Sequence, residues 1–319
     1  MKRMSKVLAV LLLAPAMALA AYPDRPINMI VSYSPGGGTD LVARAIAPYI
    51  EKYLGNNAKV VIQNRPGAGG GIGFAALATS PPDGYTIGFI NTPNVFTIPI
   101  ERQAGYTIDK FEALGNIVDD PGNFSVLADS PVKNLKDLAA LAKSKPGEIT
   151  VGSSGVGSDD HLALLLFSRI AGVKMNHIPM KGAADVKNSL IGRQIDVAAV
   201  NIGEALQTVA GGTPMRQLGV MAAHRTSLAQ DVPTFAEQGF NVELSSLRGI
   251  GAPRGLSPDI KQHLVVAIQK AANDPEFKKK AVELYAPLRY LPPAEFDAYL
   301  RKSDADFRQL WKEMPWGEK

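Results

Sequence analysis

The chain has 319 residues, of which 46% are hydrophobic, and it contains no cysteine. A disulfide framework and lipid attachment through cysteine are therefore excluded, and a hydrophobic core has to stabilise the fold. The net charge of +4 includes three cations in the first six residues, so the rest carries about +1. Because we find no basic face with interleaved aromatic residues, we expect no nucleic-acid binding.

The first twenty residues have the pattern of a secretory signal peptide. A basic start is followed by the apolar run Val7–Leu13 and by the small-x-small motif Ala18-Leu19-Ala20. The apolar run is shorter than the roughly 20 residues that a membrane-spanning helix needs. We therefore expect an exported protein that is cleaved near Ala20 or Ala21.

The next part of the chain alternates strand-like and helix-like patterns. Buried strands are predicted at Ile27–Tyr33, Lys59–Gln63 and Thr86–Ile90, with helices between them at Leu41–Tyr53 and Ile72–Thr79. This order is typical of βαβ units and predicts an α/β fold with a mainly parallel sheet. Roughly 300 residues after the leader are enough for two lobes.

A second alternation follows Pro121-Gly122. Its predicted strands are Phe124–Ala128, Ile149–Gly152, Met175–Ile178, Ile195–Asn201 and Gln217–Ala222, and its predicted helices are Leu135–Ser144, His161–Ala171, Ala183–Ile191 and Gly203–Ala210. The tail from Ser257 is helical in composition, with a further helix start at Pro293. We expect it to return to the first lobe, which gives residues 21–121 and 247–319 to lobe 1 and residues 122–246 to lobe 2.

Two turns rich in glycine and serine open predicted helices, one in each lobe. They are Ser34–Asp40 and Gly152–Ser158. A helix start has N–H groups without intrahelical partners and lies at the positive end of the helix dipole, so both turns favour an anion. The alternative is a tight turn, in which Thr39 caps the first helix, Asp40 binds loop amides and Ser158 caps the second helix. Together the two turns predict a cleft that holds a carboxylate from both sides.

Catalytic and cofactor motifs fit this sequence poorly. Ser154 and Ser158 precede His161, but neither lies in a Gly-x-Ser-x-Gly elbow. His161 is expected to stay neutral, because a helix start disfavours a cation. The glycine turns lack the spacing of a phosphate or dinucleotide loop, and metal-ligand spacing is missing as well. We expect no catalysis, no metal and no cofactor.

Several motifs match one protein family in order and spacing. They are Tyr22–Ile27, Pro35–Asp40, Asn64–Gly70, Pro82–Thr86, Gly152–His161, His177–Gly182 and Asp231–Thr234. On these motifs the chain resembles the extracytoplasmic solute receptors of the tripartite tricarboxylate transporter family, the Bug receptors, over essentially the whole mature chain. The resemblance implies a two-lobed type II periplasmic-binding-protein fold, a small organic acid bound between the lobes, and delivery to a membrane permease.

The resemblance also implies a set of ligand-binding residues. It favours Ser34, Gly37, Gly38 and Thr39 in the first turn, Ser153, Ser154 and Ser158 in the second, and Asn91 and Thr92 at a strand end. Asn201, at the end of another strand, is a further candidate, because open α/β sheets bind ligands at the carboxyl ends of their strands.

Two departures from the family pattern bear on the ligand. Many members of the family have an aspartate just before Asn201, and its carboxylate could pair with an ammonium group of the ligand. In this chain that residue is Val200, which predicts a ligand without an ammonium group. Many members of the family have an aromatic residue just before the glycine at which the chain returns to the first lobe, here Gly249. In this chain that residue is Arg248, which either reaches a second ligand carboxylate or lies on the surface. We therefore expect a monomeric periplasmic receptor for a di- or tricarboxylate or an aromatic carboxylate. A ligand sensor that docks on a signalling receptor and a secreted hydrolase are the alternatives.

Overall fold

The computed structural model describes residues 22–317, so the predicted leader and its cleavage site lie outside the described residues. The strands in the described part are β1 (Ile27–Val31), β2 (Val60–Asn64), β3 (Thr86–Asn91), β4 (Phe111–Leu127), β5 (Thr150–Ser153), β6 (Asn176–Pro179), β7 (Val197–Asn201), β8 (Met215–Val220), β9 (Ser245–Pro253) and β10 (Leu288–Leu291). The helices are α1 (Gly38–Leu54), α2 (Gly71–Ala78), α3 (Asn94–Glu101), α4 (Leu135–Ser144), α5 (Asp159–Ala171), α6 (Ala183–Ile191), α7 (Ile202–Ala210), α8 (Pro258–Asn273), α9 (Pro275–Glu283) and α10 (Pro293–Glu313).

Parallel strands form the two ends of the sheet, and antiparallel strands join them. The strand order is β2-β1-β3-β9-β4-β7-β5-β6, with β8 and β10 also paired to β4. β1 runs parallel to β2 and β3, and β5 runs parallel to β6 and β7. The long strands β4 and β9 are antiparallel from Phe111↔Pro253 to Pro121↔Ser245. After Pro121, β4 continues beside β7 and β8.

Separate hydrophobic cores lie on the two sides of this junction. The first lobe is the set of elements around a core that includes Ile46, Phe89 and Leu264. The second lobe is the set around a core that includes Phe124, Phe167 and Phe235. Within α1, the buried residues Val42, Ala43, Ile46, Ala47, Ile50 and Leu54 form one apolar stripe. This stripe shares the first core with α8, while β10 pairs with β4 at Leu288↔Val118.

The predicted elements are observed with ends that move by at most a few residues, whereas α3, β9, β10 and the first half of β4 were not predicted. α3 contains Pro99 and β9 contains two glycines and ends in a proline, which are features of loops in a sequence. Tertiary packing explains one of these glycines, because a Cβ at Gly249 would lie 2.1 Å from the ring of Phe296. Among the helices described, none has the length and apolar character needed to cross a bilayer.

Candidate functional site

A cavity of about 20 Å³ lies where the carboxyl ends of β1, β3, β5 and β7 come together. The residues that the sequence singled out and that line it are Gly37, Gly38, Thr39, Asn91, Ser154, Asn201 and Arg248. This volume accommodates about one water molecule. An organic acid therefore binds here only if cleft side chains move or the lobes separate.

In the first turn, Asp40 has the structural role that the sequence suggested. Its Oδ2 accepts a 2.9 Å hydrogen bond from the Gly36 N–H, and the same carboxylate pairs with Arg44. Helix α1 begins at Gly38 with Gly37 as its N-cap, so the expectation that Thr39 caps the helix is wrong. The Thr39 hydroxyl instead accepts a 2.8 Å hydrogen bond from Nδ2 of Asn91 inside the cleft.

In the second turn, only one of the three candidate serines lines the cavity. Ser154 does so, and its hydroxyl donates to Oδ2 of Asp160 at 2.6 Å. The Ser158 hydroxyl accepts from the His161 N–H at 3.1 Å, which confirms its role as the N-cap of α5. Ser153 is fully buried, with its hydroxyl 2.7 Å from Nε2 of His177. Ser153 and Ser158 do not line the cavity, so the ligand-binding role expected for them stays a prediction.

Two further candidates also lie outside the cavity lining. The Ser34 hydroxyl donates to Oδ2 of Asp185 at 2.7 Å, and the Thr92 hydroxyl accepts from the Leu247 N–H at 3.0 Å. The first of these bonds joins the β1–α1 turn to the start of α6 across the cleft. The second fixes the end of β3 to β9. Both side chains hold the protein around the cavity together in this structure.

Beneath the second turn, two histidine rings stack with centroids 3.9 Å apart and planes inclined by 10°. Burial lowers the pKa of His161 to about 3, with a further contribution from His177. Burial likewise lowers the pKa of His177 to about 4. Both rings are therefore neutral at pH 7, as expected for His161, and they support the turn as packed rings rather than as cations.

Arg248 is buried in the cleft, so the alternative of a surface position is wrong. Its Nη2 donates to Oδ2 of Asp120 (3.0 Å), Oδ1 of Asn201 (3.0 Å) and Oε1 of Glu204 (3.1 Å). The side chain of Asn201 also donates a 2.7 Å hydrogen bond to Oδ2 of Asp159. The guanidinium thus has two carboxylate partners of its own, and it forms the cationic centre of a larger polar network.

The acidic residues of this network were not recognised as site residues in the sequence. Burial raises the pKa of Asp120 to about 7, against the opposing effect of Arg248, and raises the pKa of Asp159 to about 6. Burial and the neighbouring Asp159 raise the pKa of Asp160 well above its usual range. The signal available was the Asp159-Asp160 pair at a helix start and the capping-box spacing from Asn201 to Glu204.

The cleft therefore contains acidic groups although position 200 is a valine, and a ligand without an ammonium group stays a prediction. Val200 is fully buried in an apolar cluster with Ala198 and Ala205. The carboxyl groups reach the cleft instead from the middle of β4 and from the first turns of α5 and α7. In residues 22–317, no three histidine, aspartate or glutamate side chains are arranged to hold a metal ion.

Hydrogen bonds across the cleft hold the two lobes together. The Gly38 N–H at the start of α1 donates to Oε1 of Glu204 at 2.9 Å. The Thr97 hydroxyl on α3 donates to the carbonyl oxygen of Gly157 at 2.6 Å. These contacts, with the bond from Ser34 to Asp185, explain why so little space remains in the cavity. The structure represents a closed arrangement of the cleft.

A family model described as "Tripartite tricarboxylate transporter family receptor" matches residues 42–286. The chain belongs to this receptor family. It is 31% identical over 306 residues to the protein BugT of Bordetella pertussis, which covers 94% of this chain and 91% of BugT. The family is one of solute receptors, as the sequence motifs indicated.

Solved structures of similar proteins confirm the two-lobed type II periplasmic-binding-protein fold. The periplasmic binding protein BugD superposes with a TM-score of 0.86 at 29% identity, covering 93% of this chain and 100% of BugD. The R. palustris protein Rpa4515, solved with adipate, superposes with a TM-score of 0.84 at 28% identity, covering 91% of this chain and 97% of that one. The α/β fold class predicted from the alternating elements is thus correct.

Proposed function

We propose that this receptor captures a small organic carboxylate in the periplasm and delivers it to the membrane permease of a tripartite tricarboxylate transporter. The observation that carries the proposal is the start of α1, where the Gly37-Gly38 backbone faces a cavity beside the buried guanidinium of Arg248. A helix N-terminus and a guanidinium are both groups that bind carboxylates. The protein acts as a monomer and performs no chemistry on its ligand.

The ligand is a dicarboxylate, a tricarboxylate or an aromatic carboxylate. The adipate found in a relative of 28% identity supports a dicarboxylate. The cavity-lining residues Gly37, Gly38, Thr39, Asn91, Ser154, Asn201 and Arg248 contact the ligand, and the lobes that close on it comprise residues 21–121 with 247–319 and residues 122–246. Export depends on the leader, with cleavage near Ala20 or Ala21.

Calorimetry on a panel of organic acids tests this function. An acid that binds should lose affinity as its methyl ester or amide, because charge-assisted hydrogen bonds of about 1.5–3 kcal/mol each are weakened. Equal affinity for an acid and its amide would contradict carboxylate recognition. Turnover of an ester would indicate a hydrolase, and capture of a signalling receptor instead of the permease would indicate a sensor.

A further inference from the structure

We propose that Glu204 is a built-in competitor of the ligand: in the closed cleft its carboxylate occupies an anion site formed by the Gly38 N–H and Arg248, and a ligand carboxylate binds there by displacing it. This inference rests on the proposed carboxylate-binding function and adds the residue that sets its affinity.

The position of Glu204 is defined by contacts from both lobes. Oε1 accepts 2.9 Å and 3.1 Å hydrogen bonds from the Gly38 N–H and from Nη2 of Arg248. Oε2 accepts from the Asn201 N–H at 3.2 Å, which closes the capping box at the start of α7. One oxygen therefore caps its own helix, while the other extends across the cleft to the first turn of α1.

The groups around Oε1 are those that select an anion. A free N–H at a helix start and a guanidinium together favour a carboxylate more than either group alone. The fit is close, because a Cβ at Gly38 would lie 2.5 Å from Oε1 of Glu204 and 2.2 Å from Nη1 of Arg248. Glycine at position 38 thus gives a carboxylate access to the backbone amide.

A second observation indicates that this site receives a ligand. Asn91 lines the same cavity and is 2% exposed, and its Oδ1 has no hydrogen-bond partner among the described residues. A buried acceptor without a partner is costly, so its presence beside the cavity favours a ligand that supplies a donor. Malic or other hydroxy acids have such a donor, as do protonated carboxylic acids.

Displacement follows from the space available. With Glu204 in place the cavity holds about one water molecule, so an organic acid and the Glu204 carboxylate do not fit together. Like charges at one site also repel each other. The ligand carboxylate therefore takes over the bonds from Gly38 and Arg248, while Oε2 leaves Glu204 tethered to the start of α7.

A first experiment needs no knowledge of the natural ligand. Hydrogen exchange of the Gly38 amide is followed by NMR in the wild-type protein and in Glu204→Ala, with equal concentrations of sodium acetate or sodium chloride. In the variant we expect the Gly38 amide to exchange about tenfold faster, because it loses one charge-assisted hydrogen bond. Acetate should restore the protection of this amide, whereas chloride should not. Wild-type exchange should not respond to acetate.

Asp137→Ala is the matched control. Asp137 is the third residue of α4, as Glu204 is of α7, and its carboxylate accepts from the Lys133 N–H at 2.9 Å away from the cleft. This control loses a helix-start carboxylate without altering the Gly38 amide. Unchanged Gly38 protection in Glu204→Ala, or faster exchange that acetate does not slow, would overturn the proposal.

A second experiment measures affinity in the folded variant Glu204→Gln, whose glutamine is also suited to a capping box. We expect adipate to bind about tenfold more tightly than to wild type, the equivalent of about 1.4 kcal/mol, because a neutral amide competes less well for the anion site. Weaker adipate binding would overturn the proposal. If no acid of the panel binds wild type, the proposed function fails, and acetate rescue still decides the role of Glu204.

Discussion

Nη2 of Arg248 lies 3.0 Å from Oδ2 of Asp120, and the two side chains are 3% and 1% exposed. This pair links β9 to β4, the two strands that run between the lobes. Because Glu204 shares the same guanidinium, one cation balances two buried carboxylates. The guanidinium of Arg248 thus connects the junction between the lobes to the binding site.

Replacing Arg248 should therefore be strongly destabilising. In Arg248→Ala we expect the free energy of unfolding at pH 7.5 to fall by about 3–5 kcal/mol, because Asp120 and Glu204 lose their cation while remaining buried. Urea unfolding of the ligand-free protein measures this change. Arg289→Ala is the control, since Arg289 is half-exposed in its pair with Asp119, and an exposed pair contributes about 0–1 kcal/mol. Equal losses in the two variants would contradict the role of the buried network.

Adjacent glycines at the start of α1 should respond differently to alanine. A Cβ at Gly38 would lie 2.2 Å from Arg248, whereas the nearest atom at Gly37 is 3.5 Å away, an ordinary contact. We expect Gly38→Ala to lower the free energy of unfolding by about 1–3 kcal/mol through crowding. Gly37→Ala should change it by less than about 1 kcal/mol. Thermal unfolding of both variants checks this, and a tolerated Gly38→Ala would show that the Arg248 and Glu204 side chains move aside easily.

The stacked histidines predict a specific pH dependence. The pKa of His161 is about 3 in the folded protein and 6.5 in the reference state, so below pH 6.5 the unfolded chain binds more protons and stability falls. In His161→Asn this contribution is removed. From pH 7 to pH 5, the stability of wild type should therefore fall by about 1–2 kcal/mol relative to the variant.

Urea unfolding of the two proteins at both pH values measures this difference. The comparison with the variant is necessary because the raised pKa values of Asp120 and Asp159 act in the opposite direction, adding stability as the pH falls. Parallel pH profiles for wild type and variant would show that His161 titrates normally in the folded protein.

Ser158 should affect stability rather than binding. Its hydroxyl caps α5, and loss of an N-cap costs about 0.5–2 kcal/mol, so we expect a lower melting temperature for ligand-free Ser158→Ala. Adipate affinity, measured by calorimetry, should stay unchanged, because the hydroxyl does not line the cavity. A loss of affinity with an unchanged melting temperature would return Ser158 to the ligand site.

The features that could be predicted without the structure are local ones. The helix-like sequence patterns predicted α4 and α6 with the observed ends, and the bonds from Gly36 to Asp40 and from His161 to Ser158 span only four and three residues. Such contacts form wherever the local backbone is right, so a short segment contains the information needed. The two glycine-rich turns could be located for the same reason.

The contacts between the residues of the site, by contrast, could be seen only in the folded structure. Arg248 meets Glu204 and Asp120, which are 44 and 128 residues away in sequence, and Glu204 meets Gly38 across 166 residues. Spacing along the chain carries no information about such pairs, because they depend on how the two lobes close. Val200 and Glu204 illustrate the difference: the sequence showed that one acid was missing, and only folding brought others into the cleft.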